Sequence, residues 1–539
     1  MRSINKLMLL PVCLLLVLGG CKKSFEDLSS NQNKPSSVPP SLLLTGVLND
    51  MYNPAGGDNG PNGQNEIINQ YYLYNYDYYG NNRYDLASGD NYYSTLENVA
   101  KMEEEALKSG GATVNPYNAL GNFFKAYFFT QMSLEVGDLP LNDALKGLTN
   151  LTPAYNIQKD VFKQAFLWLD SANTDFNQLI NKPDLSITAE GQVLKGDIYY
   201  GNDLKKWQKA VNTYRLRLLL ELSKKENDAE LNIKQQFATI IGNKGQYPIF
   251  ENEGDNLQYN YVAPTNFYPN NPGSFGFDAS RKNMSSTYLG LLTQLQDPRT
   301  FAVAEPARYT VDVLKKSPTD FSSFTGADPG LDLGVMYSEA GAGKYSFLNR
   351  KYFFSTYTGE KSIMIGYAEM QFDIAEAINR GWVSGDAESY YTNGIKSSIQ
   401  SYGIPLTGSF TAYFYRPGST DVTNAANYDA YPVNFAFNAY YDQPSVKYTG
   451  NSADGLKQIL QQKYLALFRH SGLESYFTYR RTGVPAFSTG PGTGNGSRIA
   501  MRFQYAGSER SANTSNYNAA LQSQYSGNDD INGIMWILQ

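Results

Sequence analysis

Five stretches of this chain repeat their apolar residues with the period of an α-helix, and that recurrence constrains the fold more than any other feature. Tyr117 to Val136 carries Leu120, Phe123, Phe124, Tyr127 and Phe128 at helical spacing, with Gly137 as a stop signal. Asp160 to Ile180 carries Phe162, Ala165, Phe166, Leu169, Ala172, Phe176 and Leu179, and Pro183 closes it. Leu204 to Lys224 carries Trp207, Val211, Tyr214, Leu218 and Leu222, which predicts Trp207 in a helix–helix seam. Ile363 to Asn379 and Gly455 to Phe468 read in the same way.

Long stretches rich in Gly, Asn, Pro, Tyr and Ser separate these helices, chiefly Gln246 to Ser280, Lys315 to Lys344, Tyr402 to Gly450 and Phe487 to Asn532. Loops of that length carry function or short structure of their own. No strict repeat period is present, although paired helices can still stack in a repeat-like manner. The expected architecture is mainly α: one large helical body, residues 41–539, with long irregular loops and little β.

At the N-terminus, Arg2 and Lys6 precede an apolar run from Leu7 to Leu18. A membrane span needs about 20 apolar residues, so residues 1–20 read as a secretory signal segment. The run ends in Leu18-Gly19-Gly20-Cys21, which resembles a bacterial lipobox. Cys21 would then be acylated and become the first mature residue, and several acyl chains give durable membrane attachment. Residues 21–40, polar and carrying Pro35, Pro39 and Pro40, read as a flexible tether. With Cys13 removed and Cys21 lipidated, the mature chain has no disulfide.

Composition closes off several function classes. A net charge of −6 offers no basic stripe to follow a phosphate backbone, so no nucleic-acid partner is expected. Two cysteines and one histidine exclude zinc sites of the Cys/His type, and any hydrolase triad would have to use His470. His470 follows Arg469 near a helix end, where a capping or dipole role is expected. Ser338 to Tyr345 lacks the first glycine and the metal-binding hydroxyl of a phosphate loop. Asp58 to Gly63 hints at a calcium loop, but Asn69 stands where the bidentate Glu belongs. Gly490 to Gly496 fails the dinucleotide spacing. Neither a metal nor a cofactor is expected.

Glu369, Asp373 and Glu376 share one helix face. They read either as a cation or acid/base cluster or, by preference, as partners of arginines such as Arg380, Arg480 or Arg481. Of Arg215 and Arg217, at most one should reach inward to a carboxylate such as Glu369 or Glu376.

Tyrosine supplies 43 of the 539 residues. Tyr71, Tyr72, Tyr74, Tyr76, Tyr78 and Tyr79 crowd one segment, which runs into Asn82, Arg83, Tyr84, Asp90 and Tyr92. Rings that stack on sugar faces, beside Asn, Asp and Arg that bond hydroxyls, are what a carbohydrate site requires. The other reading is a helix whose rings fill the core, followed by a turn. On the first reading Tyr76, Tyr79, Asn82, Arg83, Tyr84, Asp90 and Tyr92 are the ligand-binding candidates.

Several motifs in order complete the pattern. They are the tether Cys21 to Leu28, Gly137-Asp138-Leu139-Pro140, Asp197 to Asn202, Lys206-Trp207-Gln208-Lys209 and Asn212 to Leu218. Asp297-Pro298-Arg299, Glu369-Met370, Ala375-Glu376-Ala377, Gln462-Lys463-Tyr464 and Arg480 to Pro485 follow, then Arg502, Tyr505 and Glu509. In this joint order the chain resembles the SusD/RagB family of outer-membrane nutrient-binding lipoproteins. It departs from the family pattern at Ala500 and Ala506, often proline there, and in Trp536-Ile537 at the end.

The resemblance implies tetratricopeptide-like helix pairs docked on a SusC-like TonB-dependent transporter barrel. It also implies oligosaccharide-binding loops, or peptide-binding loops in some members, at the exterior of the outer membrane. It supplies no binding residues. The expected function is capture of oligosaccharides and their delivery to the transporter, without catalysis. A peptide-binding member of the same system is the alternative, and a surface glycosidase a more distant one.

Overall fold

The computed structural model describes residues 37–52, 63–183, 186 and 188–539. The signal segment, Cys21 and the tether up to residue 36 lie outside the described residues, as does most of the calcium-like stretch at Asp58. Thirteen helices of nine or more residues form the described body. They are α1 (Pro40–Tyr52), α2 (Tyr93–Lys108), α3 (Pro116–Val136), α4 (Gln158–Asn181), α5 (Leu204–Glu221), α6 (Ile233–Gly242) and α7 (Ser286–Gln294). Then come α8 (Leu333–Gly341), α9 (Tyr367–Asn379), α10 (Ala387–Ser401), α11 (Ala453–Ala466), α12 (Glu474–Thr482) and α13 (Thr514–Tyr525).

Helix ends follow from local chemistry. Asn115 accepts from the Asn118 amide at 2.9 Å, with Pro116 in the first turn of α3, and Gly137 at φ +98° stops that helix. Asp203 caps α5 and Ser452 caps α11. Successive helices pack side by side, α1 on α2, α2 on α3, α3 on α4, α4 on α5 and α9 on α10. Trp207 is fully buried between Phe123 and Phe124 of α3 and Tyr200, as the stripe predicts. Its indole N–H donates to Asp197 at 2.9 Å. The same carboxylate gathers the amides of Tyr199, Tyr200 and Asn202, so the turn before α5 and the seam residue are built from one acid.

Among the described residues the strands form four two-stranded antiparallel ribbons. These pair β1 (Tyr72–Tyr74) with β5 (Lys282–Met284), β2 (Leu139–Pro140) with β3 (Tyr155–Asn156), and β4 (Leu257–Tyr259) with β6 (Ser362–Ile365). The longest joins β7 (Thr407–Tyr415) to β8 (Tyr428–Ala436) in unbroken register from Thr407↔Ala436 to Tyr415↔Tyr428. Two expectations change here. Ile363 to Ile365 belongs to β6, so the helix read from Ile363 starts at Tyr367. The stretch from Tyr402 to Gly450 carries a hairpin, whose signal is Tyr431, Val433 and Phe435 half-buried at period two.

The acidic face of α9 is structural. Glu369 accepts two bonds of 2.6 Å from the Arg217 guanidinium and one of 2.9 Å from Ser471. Asp373 lies 2.9 Å from the Lys463 ammonium, which also meets Glu474 at 3.0 Å. Glu376 pairs with Arg380 and Arg481. Burial alone would raise the Glu376 carboxyl, but Arg481 and Arg380 overcome it and hold it down at about 2. Arg480 takes a different role, donating to the Leu134 and Met501 carbonyls. Arg215 turns outward to Asp170, so only Arg217 of that pair reaches the acidic face.

Candidate functional site

The tyrosine segment is divided by a three-residue strand. Tyr71, Tyr72, Leu73 and Tyr74 are buried around β1, whose register with β5 sets Tyr74 opposite Lys282. This segment is a strand and turn instead of the core helix of the alternative reading. Asn82 then folds back on it: Asn82 Oδ1 accepts from the Tyr74 amide and its Nδ2 donates to the Tyr74 carbonyl, both at 2.8 Å. The carboxamide thus imitates a neighbouring strand and, buried there, is not presented to a ligand. Gly80 makes the reversal possible, because a Cβ there would sit 2.5 Å from the Tyr74 ring.

Between the strand and that return, Tyr76, Asp77, Tyr78 and Tyr79 are held at the surface, with Tyr78 80% exposed. Tyr76 and Tyr79 lie 5.8 Å apart by ring centroid, and Tyr78 meets Tyr79 edge-on at 5.0 Å. A fourth ring arrives from far along the chain. Met336 of α8 is fully buried in a small cluster with Leu73, Ala327 and Tyr345, which seats α8 beside β1. The next residue, Tyr337, points outward and stacks on Tyr76 at 5.1 Å and 29°. Arg281, which precedes β5, places its guanidinium carbon 5.0 Å above Tyr76 and 5.6 Å above Tyr79. No acceptor among the described residues meets its Nε. Two half-buried rings under one guanidinium, flanked by the exposed rings of Tyr78 and Tyr337, offer stacking area together with a hydroxyl-bonding head.

The other residues expected in a ligand site go elsewhere. Tyr84 is buried and donates to the Ile68 carbonyl at 2.7 Å. Arg83 is exposed but tied to Asp85 at 2.5 Å, and Asp85 in turn accepts from the Asn495 amide. Asp90 and Tyr92 bond one another at 2.8 Å and line a partly open pocket of about 80 Å³ with Glu66, Glu135 and Arg469. Only Tyr76 and Tyr79 of the seven candidates are brought together at the surface platform. Tyr337 and Arg281 were not singled out by the sequence, since nothing local to either marks the contact.

Two of the acids lining this pocket are held above the usual carboxylate range. Burial pushes the Glu66 carboxyl up to about 8, although Arg469 partly offsets it. Its Oε2 accepts from the Arg469 amide at 3.1 Å. Burial, and then the nearby Asp90 charge, raise Glu135 as well. His470, expected to serve the helix end, is buried with its Nε2 3.5 Å from Glu360.

From about pH 4.5 to 8 the folded protein keeps the Glu66 proton that the unfolded chain has lost, so stability falls as pH rises. Glu66→Gln keeps an acceptor for Arg469 and removes that loss. The variant is expected to melt with the wild type near pH 4.5 and above it near pH 8, by up to about 4 kcal/mol. Coincident melting curves at the higher pH would refute the assignment.

Residues 32–506 match the profile of the SusD-like family, described as starch-binding and associating with the outer membrane. A crystal structure of a SusD homologue from Bacteroides fragilis NCTC 9343 superposes with a TM-score of 0.77 at 30% identity, covering 93% of this chain and 100% of that one. A second SusD homologue from the same strain gives 0.73 at 28% identity, with the same coverage. A chitin-binding SusD homologue from Flavobacterium johnsoniae shares the fold, with a TM-score of 0.67 at 20% identity over 93% of this chain and 98% of that one. No relative matches among curated proteins.

Proposed function

We infer the function from one premise: this chain belongs to the SusD-like family. It captures oligosaccharides at the bacterial surface and passes them to a TonB-dependent outer-membrane transporter of the SusC-like kind. Acylation at Cys21 anchors it, and residues 21–40 serve as the tether. The observation that carries the glycan reading is the surface cluster in which exposed Tyr78 and Tyr337 flank half-buried Tyr76 and Tyr79, with Arg281 over the last two. Clustered exposed rings on a protein with so large a core mark a contact surface. Flat rings with one unpaired guanidinium suit pyranose faces rimmed by hydroxyls. The chitin-binding relative places N-acetylated sugars in the panel to be tested, beside starch fragments.

The binding step needs no catalytic group. Rings exclude water from the apolar face of a sugar while Arg281 donates to its hydroxyls, and release to the transporter requires only modest affinity. Calorimetric titration with maltohexaose, chitohexaose, cellohexaose and a casein peptide digest tests the reading. Saturable heat with at least one of the glycans is expected. Heat from the peptides alone would replace the glycan by a peptide cargo, and reducing ends released from any glycan would reveal a glycosidase.

A further inference from the structure

A separate groove lies on the helical scaffold, and none of its lining residues belongs to the tyrosine platform. The pair α9–α10 packs closely because α10 carries Gly394, where a Cβ would sit 2.7 Å from the Phe372 ring. Beside that contact a groove of about 480 Å³ opens, closed on its far side by the chain from Lys244 to Glu251. That size falls within the roughly 300–1,000 Å³ of small-ligand sites.

Tyr367 and Gln371, one helical turn apart on α9, line the groove, as do Tyr390 and Asn393 from α10. Both tyrosines are half-exposed, so their rings form part of the wall. Gln371 is only 5% exposed, yet its carboxamide has no hydrogen-bond partner among the described residues. Its carboxamide lines the groove and is not sealed from it, so a ligand hydroxyl can reach it. At the rim Lys244 stands with Asp386 and Glu251, and Glu251 is already paired with Lys209 at 2.6 Å, so the charges of the lining are balanced and favour neither an anion nor a cation.

We propose that this groove is a second carbohydrate site, built for a single neutral pyranose or a disaccharide. The chemistry is specific in kind: the amides of Gln371 and Asn393 both donate and accept, which is what a sugar hydroxyl also does. Tyr367 and Tyr390 supply the apolar contact. The site does not depend on the platform.

Saturation-transfer NMR with D-glucose and N-acetyl-D-glucosamine, each titrated alone, reads the groove directly. The Tyr76→Ala/Tyr337→Ala protein is expected to keep the signal of at least one of these sugars. Gln371→Met should weaken that signal at least tenfold. Asn393→Ala, an exposed change that leaves packing intact, should weaken it as well, and this covers the case of a poorly folded Gln371 variant. Three results would overturn the proposal. They are an absent signal with both sugars (a groove filled by water only), a signal unchanged in Gln371→Met and Asn393→Ala, and a signal abolished by the platform substitutions. The last two leave the function proposed above intact, whereas loss of hexasaccharide binding in the wild type would fail that function and not this one.

Discussion

Lys463→Met destabilises the protein by about 3–5 kcal/mol, the cost of leaving buried charge without its partner. Lys463 is 1% exposed, and its ammonium is the cation between Asp373 at 2.9 Å and Glu474 at 3.0 Å. Methionine fills nearly the same volume, so the loss is electrostatic and not a cavity. Its pH dependence identifies it. Burial already pushes the Asp373 carboxyl up to about 7 despite Lys463, and removing the ammonium raises it further. The folded variant then holds a proton that the unfolded chain releases, and its stability falls with rising pH. The deficit against the wild type is therefore expected to be small near pH 4 and full near pH 8. Adding Asp373→Asn should restore part of it. Denaturant unfolding at the two pH values measures all three proteins, and a deficit independent of pH would mean that lost packing, not lost charge, governs the site.

The acidic trio on α9 also shows how far sequence reaches. Its spacing places three carboxylates on one face, and the surplus of acids over other polar groups there calls for cations. Arg217, Arg380 and Arg481 arrive as such partners. Lys463, from a helix read only for its apolar stripe, does not declare itself, because an isolated lysine is normally a surface residue. The helices themselves were legible, since stripes such as Leu120 to Phe128 carry a period that no other element shares. The β7–β8 hairpin was not, because its alternation is interrupted by Pro432 and set among Asn and Gly that read as loop.

The binding surface divides along a similar line. Tyr76 and Tyr79 were visible by composition, but their neighbours Asn82 and Tyr84 have the same residue chemistry and an opposite fate. What separates them is β1: three paired residues turn alternate side chains to opposite faces, and a short strand leaves too little pattern to detect. Tyr337 reaches Tyr76 across more than 250 positions of sequence, by way of the buried Met336. Such a contact exists only after the tertiary fold has formed.

Tyr76→Ala with Tyr337→Ala is expected to weaken glycan binding by roughly a hundredfold while leaving the melting temperature nearly unchanged. Each ring withdraws apolar area from water when a sugar stacks on it, worth about 1.5 kcal/mol per ring. Two rings together give about 3 kcal/mol, which is roughly two decades in Kd. The fold should tolerate the change because both rings lie at the surface and β1 is held by Asn82 and by β5, not by them. Tyr84→Phe is the matched control. It removes the buried bond to the Ile68 carbonyl, at a cost of about 1 kcal/mol, and touches no exposed ring. It should lower stability and leave affinity alone. Titration of all three proteins with whichever hexasaccharide binds the wild type, beside their melting curves, separates the two effects. If the double variant binds as tightly as the wild type, the four tyrosines around Arg281 are not where this protein holds its glycan.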